Sequence, residues 1–128
     1  MRTKKILLIL IVLFIFGYTG SWWGGSWYLD SGNHYFHIVG GFFIALLTTS
    51  YYASEFGKLT QPFRFFALLG IVMAVGVFWE FHEFALDHLL HLPHFQFQGD
   101  LVDTMQDLLF DTIGGIAAAL YTARRWNS

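Results

Sequence analysis

Glu80, Glu83, Asp87 and His91 stand at intervals of 0, 3, 7 and 11 along the chain, and Asp100, Asp103, Asp107 and Asp111 repeat those intervals. At about 100° per residue such steps fall within about 80° of helical arc, so each set makes one polar stripe on a helix. Asp30, His34 and His37 form a third, shorter stripe. Carboxylates crowded together away from water repel one another, and protons or a cation must relieve the repulsion. The implied cofactor is a divalent metal ion. Mixed carboxylate and imidazole ligands suit Zn2+, Mn2+ or Fe, and carboxylates alone suit Mg2+ or Ca2+. The candidate ligands are His34, His37, Glu80, Glu83, Asp87, Asp103 and Asp107. Glu80, Glu83, Asp107 and Asp111 are the candidate catalytic acid and base groups, with His34 and His37 as ligands or a proton shuttle. The sequence has no cysteine, so thiolate ligation and thiol catalysis are excluded, and it shows no serine-nucleophile motif and no glycine-rich phosphate loop.

Stripes of this kind need helices to carry them, and the composition says in what solvent. Of 128 residues, 55% are hydrophobic and only 12% charged, against about 25% charged in a soluble domain. Four stretches approach the roughly 20 apolar residues needed to cross a bilayer: about 6–23, 35–53, 65–86 and 101–123. The expected fold is an all-α integral membrane bundle of four transmembrane helices in a single domain, 1–128. The fourth stretch is the weakest by hydropathy because it holds Asp103, Asp107 and Asp111, each of which must face protein or a wet cavity. A cleaved signal peptide is the other reading of the first stretch, but it lacks a small-x-small cleavage pattern.

The basic residues give the direction. Arg2, Lys4 and Lys5 precede the first stretch, Lys58 and Arg64 lie between the second and third, and Arg124 and Arg125 follow the fourth. Four spans place all of them on one side, which puts both termini in the cytoplasm. Glu55 is the one acid on that side. The other eight acids and His34, His37, His82, His88, His91 and His94 then fall in the outer half. At about 1.5 Å per residue, Glu80 lies roughly 9 Å below the outer boundary and Asp111 roughly 15 Å below it. The stripes make a funnel open to the outside.

Other residues have simpler roles. Asp100 opens a helix as its N-cap, and Asp30 reads as a turn residue. His82 and His88 lie off the acidic arc at the interface, and His91 and His94 flank Pro93 in a loop. Arg64 is a positive-inside anchor. Gly40-Gly41 and Gly114-Gly115 permit close helix contact, and Trp22, Trp23 and Trp27 form an interfacial belt.

Three segments, Asp30-Ser31-Gly32-Asn33-His34, Phe78-Trp79-Glu80-Phe81-His82-Glu83 and Gln98-Gly99-Asp100-Leu101-Val102-Asp103-Thr104-Met105-Gln106-Asp107, together resemble the YjdF-like family of small bacterial inner-membrane proteins. The likeness covers roughly residues 30–115. It implies a multi-pass protein of the bacterial inner membrane, with Asp30, His34, Glu80, Glu83, Asp100, Asp103 and Asp107 on the family's polar positions. A looser similarity links the chain to VanZ-like proteins. The resemblance supports the fold and the site positions and supplies no reaction. The leading expectation is a metal-dependent enzyme acting from outside on a lipid or lipid-linked headgroup. The same carboxylates fit a proton or cation transporter, and the same polar face fits a structural or accessory subunit. The lipid bilayer is the expected partner, a homo-oligomer is compatible with so small a bundle, and the charge gives no basis for nucleic-acid binding.

Overall fold

The computed structural model describes residues 3–23, 32–90, 97 and 99–126, and every element among them is helical. The order is α1 (Thr3–Trp23), α2 (Asn33–Tyr51), a short α3 (Ala53–Lys58), α4 (Gln61–Ala85) with a π-helical turn at Leu86–Leu90, and α5 (Leu101–Trp126). Asp30, His91 and His94 lie outside the described residues.

Local chemistry sets the element ends. Thr60 is extended and Pro62 sits in the first turn of α4, where its missing N–H costs nothing. The Arg64 guanidinium donates from Nε to the Phe56 carbonyl at 2.8 Å and from a terminal nitrogen to the Leu59 carbonyl at 3.0 Å. It thereby satisfies the free carbonyls at the end of α3, besides supplying a positive charge. Asp100 caps α5 as expected, its Oδ1 accepting from the backbone of Val102 at 2.9 Å and Asp103 at 3.0 Å.

Contacts fix the helix directions. Thr3 on α1 hydrogen-bonds Ser50 on α2 at 2.8 Å, so the start of α1 meets the end of α2. Asn33 at the start of α2 bonds Asp107 near the start of α5, while Glu80 approaches them from the end of α4. α1 and α4 therefore run one way, and α2 and α5 the other. α2 is central, packing on α1, α4 and α5.

Glycine makes the α2–α5 approach close. A Cβ at Gly41 would collide with the Asp111 backbone carbonyl, and one at Gly114 with the Ile38 carbonyl. Gly40, by contrast, faces open space. Below this crossing, on the side away from the acids, Ala45, Leu46, Leu68, Val72 and Ala118 close into a buried apolar core. Two hydroxyls there bond within their own helices: Thr49 donates to the Leu46 carbonyl and Thr122 to the Ala118 carbonyl.

Large apolar side chains also cover the outside. Phe63, Phe66, Phe78 and Phe81 of α4 are each more than 60% exposed, a surface that water would not tolerate on a monomer. Among the described residues, one helical stretch, Gln61–Leu89, is by itself long and apolar enough to cross a membrane. Its 29 residues extend roughly 44 Å at about 1.5 Å each, more than the ~30 Å hydrocarbon core requires.

Candidate metal centre

The centre forms around Asp107. On α5, one turn after Asp103 and one before Asp111, it points into the junction of α2, α4 and α5 and is wholly buried. Asn33 donates from Nδ2 to its Oδ2 at 2.8 Å. His37 Nε2 stands 3.4 Å from the same oxygen, and His34 Nε2 stands 4.0 Å from Oδ1. His34, His37, Asp103, Asp107 and Glu80 compose two groups of three residues, His34–Asp103–Asp107 and His37–Glu80–Asp107. Within each group the ligand atoms lie within 4.8 Å of one another.

Several of these atoms have no hydrogen-bond partner. Among the described residues, His34 Nε2, Asp107 Oδ1 and both oxygens of Glu80 are buried without a bond of acceptable geometry, although the Thr104 side chain approaches Glu80. Leaving a buried carboxylate unpaired costs several kcal/mol by order of magnitude. No lysine or arginine occurs between Lys5 and Lys58 or between Arg64 and Arg124, and among the described residues no ion pair joins one to the cluster. Imidazole nitrogen and carboxylate oxygen are the donor set of Zn2+, Mn2+ and Fe2+ sites. The residues present therefore fit a divalent ion.

His37 is held from behind. Its Nδ1 lies 3.3 Å from Asp111 Oδ1 while its Nε2 faces Asp107. This carboxylate–imidazole arrangement fixes which nitrogen is free to bind an ion. Asp111 itself is wedged, its backbone against Gly41 and its carboxyl against Gly76. Its position makes it an orienting group for His37, and it belongs to neither three-residue group. Asp111→Ala should weaken divalent-ion affinity about 10–100-fold, the usual loss for a partner behind a histidine ligand. Asp111→Asn, which keeps an acceptor for the imidazole N–H, should lose less. Competition titration against a chromogenic chelator measures both.

The remaining candidates are placed differently. Glu83 is buried beside Glu80, His37 and Asp107 but is in neither three-residue group. Asp87 accepts two bonds from the Phe97 backbone N–H, at 2.9 and 3.1 Å. It lies in the π-helical turn, about two helical turns beyond Glu80 along the axis, and belongs to neither three-residue group. His88 stacks on Phe84 and bonds its carbonyl, and His82 packs near Trp79, both off the acidic arc. Asn33 is the polar residue that the stripes omit. It lies one turn before His37, and that i, i+4 spacing was its signal. Phe110 packs on the His34 ring from α5, with centroids 4.7 Å apart.

Beside the cluster, α1, α2 and α4 border a cleft of about 310 Å³. Leu10, Leu13, Phe14, Ile44 and Val75 line it, and Asn33, His37 and Asp111 form its polar end. α1 leans on α2, and across the cleft the Phe14 and Trp79 rings meet edge-on at 5.6 Å.

A family model described as "Predicted membrane protein (DUF2238)" matches residues 2–128. The match agrees with the resemblance to the YjdF-like small membrane proteins and extends it from the central segments to nearly the whole chain. No curated protein and no solved structure matches the sequence.

Proposed function

Since the chain belongs to the DUF2238 family of predicted membrane proteins, we propose that it crosses the bilayer four times, through α1, α2, α4 and α5, and acts from the outer face as a metal-dependent enzyme on a lipid or lipid-linked headgroup. The alternating helix directions fit four passes. Lys4, Lys5, Lys58 and Arg64 gather at the end opposite the acids, which fits cytoplasmic termini and an outward site in a bacterial inner membrane. The acids on α5 lower its hydropathy, and the two deepest, Asp107 and Asp111, are buried within the protein, as a span would require.

The observation that carries the reading is the cleft. It is apolar along its length and ends on His37 and Asp111, so a chain lying in it would deliver its headgroup to the cluster. The polar residues then divide the work. His37, Glu80 and Asp107 hold the ion, Asp111 and Asn33 orient the ligands, and the less buried His34 and Asp103 face the headgroup side. A bound ion would polarise a headgroup oxygen or activate a water. Glu83 is placed to accept or return a proton.

The test is turnover of envelope lipid. Purified protein in nanodiscs made from bacterial membrane lipid should convert one lipid class. Chelation should stop the conversion, and so should Glu80→Gln. Lipid that stays unchanged across all classes sinks the enzyme reading. Reconstituted liposomes test transport: the apolar core under the crossing predicts no uptake of protons or divalent cations above empty vesicles. Uptake that Asp107→Asn abolishes would establish a transporter instead.

Sidedness has its own check, made clean by the absence of native cysteine. Leu101→Cys, at an exposed position beside the acids, should react with an impermeant thiol reagent added outside intact cells. Ser54→Cys, exposed at the other end, should react only after permeabilisation. The reverse pattern overturns the orientation.

A further inference from the structure

We propose that the cluster holds two divalent cations side by side, with Asp107 as the carboxylate shared between them. The inference rests on the metal-site reading above and goes beyond it in number, position and ligand assignment.

The two three-residue groups have one member in common, Asp107. Its two oxygens look toward different histidines. Oδ2 lies 3.4 Å from His37 Nε2, and Oδ1 lies 4.0 Å from His34 Nε2. An ion bound at about 2.0–2.2 Å to a nitrogen and an oxygen holds them roughly 3.0–4.2 Å apart, depending on the angle. Both separations fall in that window, and 4.0 Å is too long for a hydrogen bond. Among the described residues, Asp107 Oδ1 and His34 Nε2 on one side, and both Glu80 oxygens on the other, are buried without a hydrogen bond of acceptable geometry, with the Thr104 side chain near Glu80. One ion between His37, Glu80 and Asp107 would leave Asp107 Oδ1 and His34 Nε2 unsatisfied. A second ion between His34, Asp103 and Asp107 satisfies them.

Helix geometry sets the spacing. His34 precedes His37 by three residues, a rise of about 4.5 Å along α2. That is close to the roughly 3.5–4 Å between ions that share a carboxylate in two-metal sites. The charges also agree. Asp103, Asp107 and Glu80, with Glu83 beside Glu80, offer one negative charge each, enough to neutralise two dications. The inner ion would be sealed among buried groups, while the outer one, held by the partly exposed His34 and Asp103, would exchange with the outside.

Mn2+ is the probe. The full-length protein, purified in detergent and stripped with chelator, is dialysed to equilibrium against Mn2+ and its low-temperature EPR spectrum recorded. The expected result is two ions per chain with the broadened spectrum of an exchange-coupled pair. Asp103→Asn and His34→Gln, at the less buried outer group, should each retain one ion and show the sharp signal of isolated Mn2+. The ion retained by these variants also reports an intact fold. One ion per chain in the parent overturns the second site and leaves the single-metal reading standing. No bound ion overturns both. Two ions that survive in both outer variants would refute the assignment of His34 and Asp103 as ligands.

Discussion

Asp107→Asn should lower divalent-ion affinity by more than about 100-fold. Loss of a group behind a ligand already costs roughly 10–100-fold, and Asp107 is common to both ligand groups. The variant leaves the fold close to intact, because an amide keeps the size of the carboxyl and still accepts the bond that Asn33 donates. The metal-free variant should even be as stable as the metal-free parent, or more so, since burial disfavours the Asp107 carboxylate and Asp103, Glu80 and Asp111 repel it, which together outweigh the attraction of the His37 imidazole. The two readouts therefore move apart: ion content falls, and thermal stability of the stripped protein holds or rises. Calorimetry of stripped and loaded samples decides it. An Asp107→Asn protein that binds ions like its parent removes Asp107 from the centre.

The second large effect concerns packing. Gly114→Val should destabilise the protein by more than the roughly 1–3 kcal/mol usual for overpacking. A Cβ at this position meets the Ile38 carbonyl oxygen and the Phe42 backbone nitrogen, and backbone cannot rotate out of the way as a side chain can. α2 and α5 must part, and Asn33, His34 and His37 then separate from Asp107. Gly40→Ala is the contrasting variant. Nothing stands near its Cβ, so the better helix propensity of alanine should add up to about 1 kcal/mol. Unfolding followed by tryptophan fluorescence during SDS titration in mixed micelles should give opposite signs for the two. Equal shifts would mean that α2 and α5 do not cross as described.

Much of this site was readable from spacing alone. The intervals that put Asp103, Asp107 and Asp111 on one arc of α5, and His34 and His37 on one arc of α2, hold because both helices are regular there. Glu80 and Glu83 keep their shared face for the same reason. Asp87 shares that stripe in sequence but stands about two turns farther along the helix, and the backbone N–H of Phe97 takes its carboxylate, a partner from outside the helix that spacing does not announce. Asn33 looks like loop punctuation in Ser-Gly-Asn, and only the position of Asp107 on another helix gives its side chain a task. The order of Asp111 behind His37 was hidden similarly. A stripe records which residues share a face, whereas their order across the interior depends on how closely Gly41 and Gly76 let the helices approach. The glycine pairs were legible as contact points, yet the pattern could not say that Gly41 and Gly114 make the contact while Gly40 stays open.

On the proposed function, the apolar cleft bordered by α1, α2 and α4 changes what substrate concentration means for this protein. A lipid that entered along it would come from the membrane plane, so the site would sample moles of substrate per mole of lipid, and the aqueous concentration would be immaterial. Adding inert lipid or detergent at a fixed total amount of substrate should slow the reaction by surface dilution. An apparent KM then has units of mole fraction, and a competitive amphiphile inhibits according to its partitioning as much as its fit. Assays that vary only bulk volume would see almost no dependence at all.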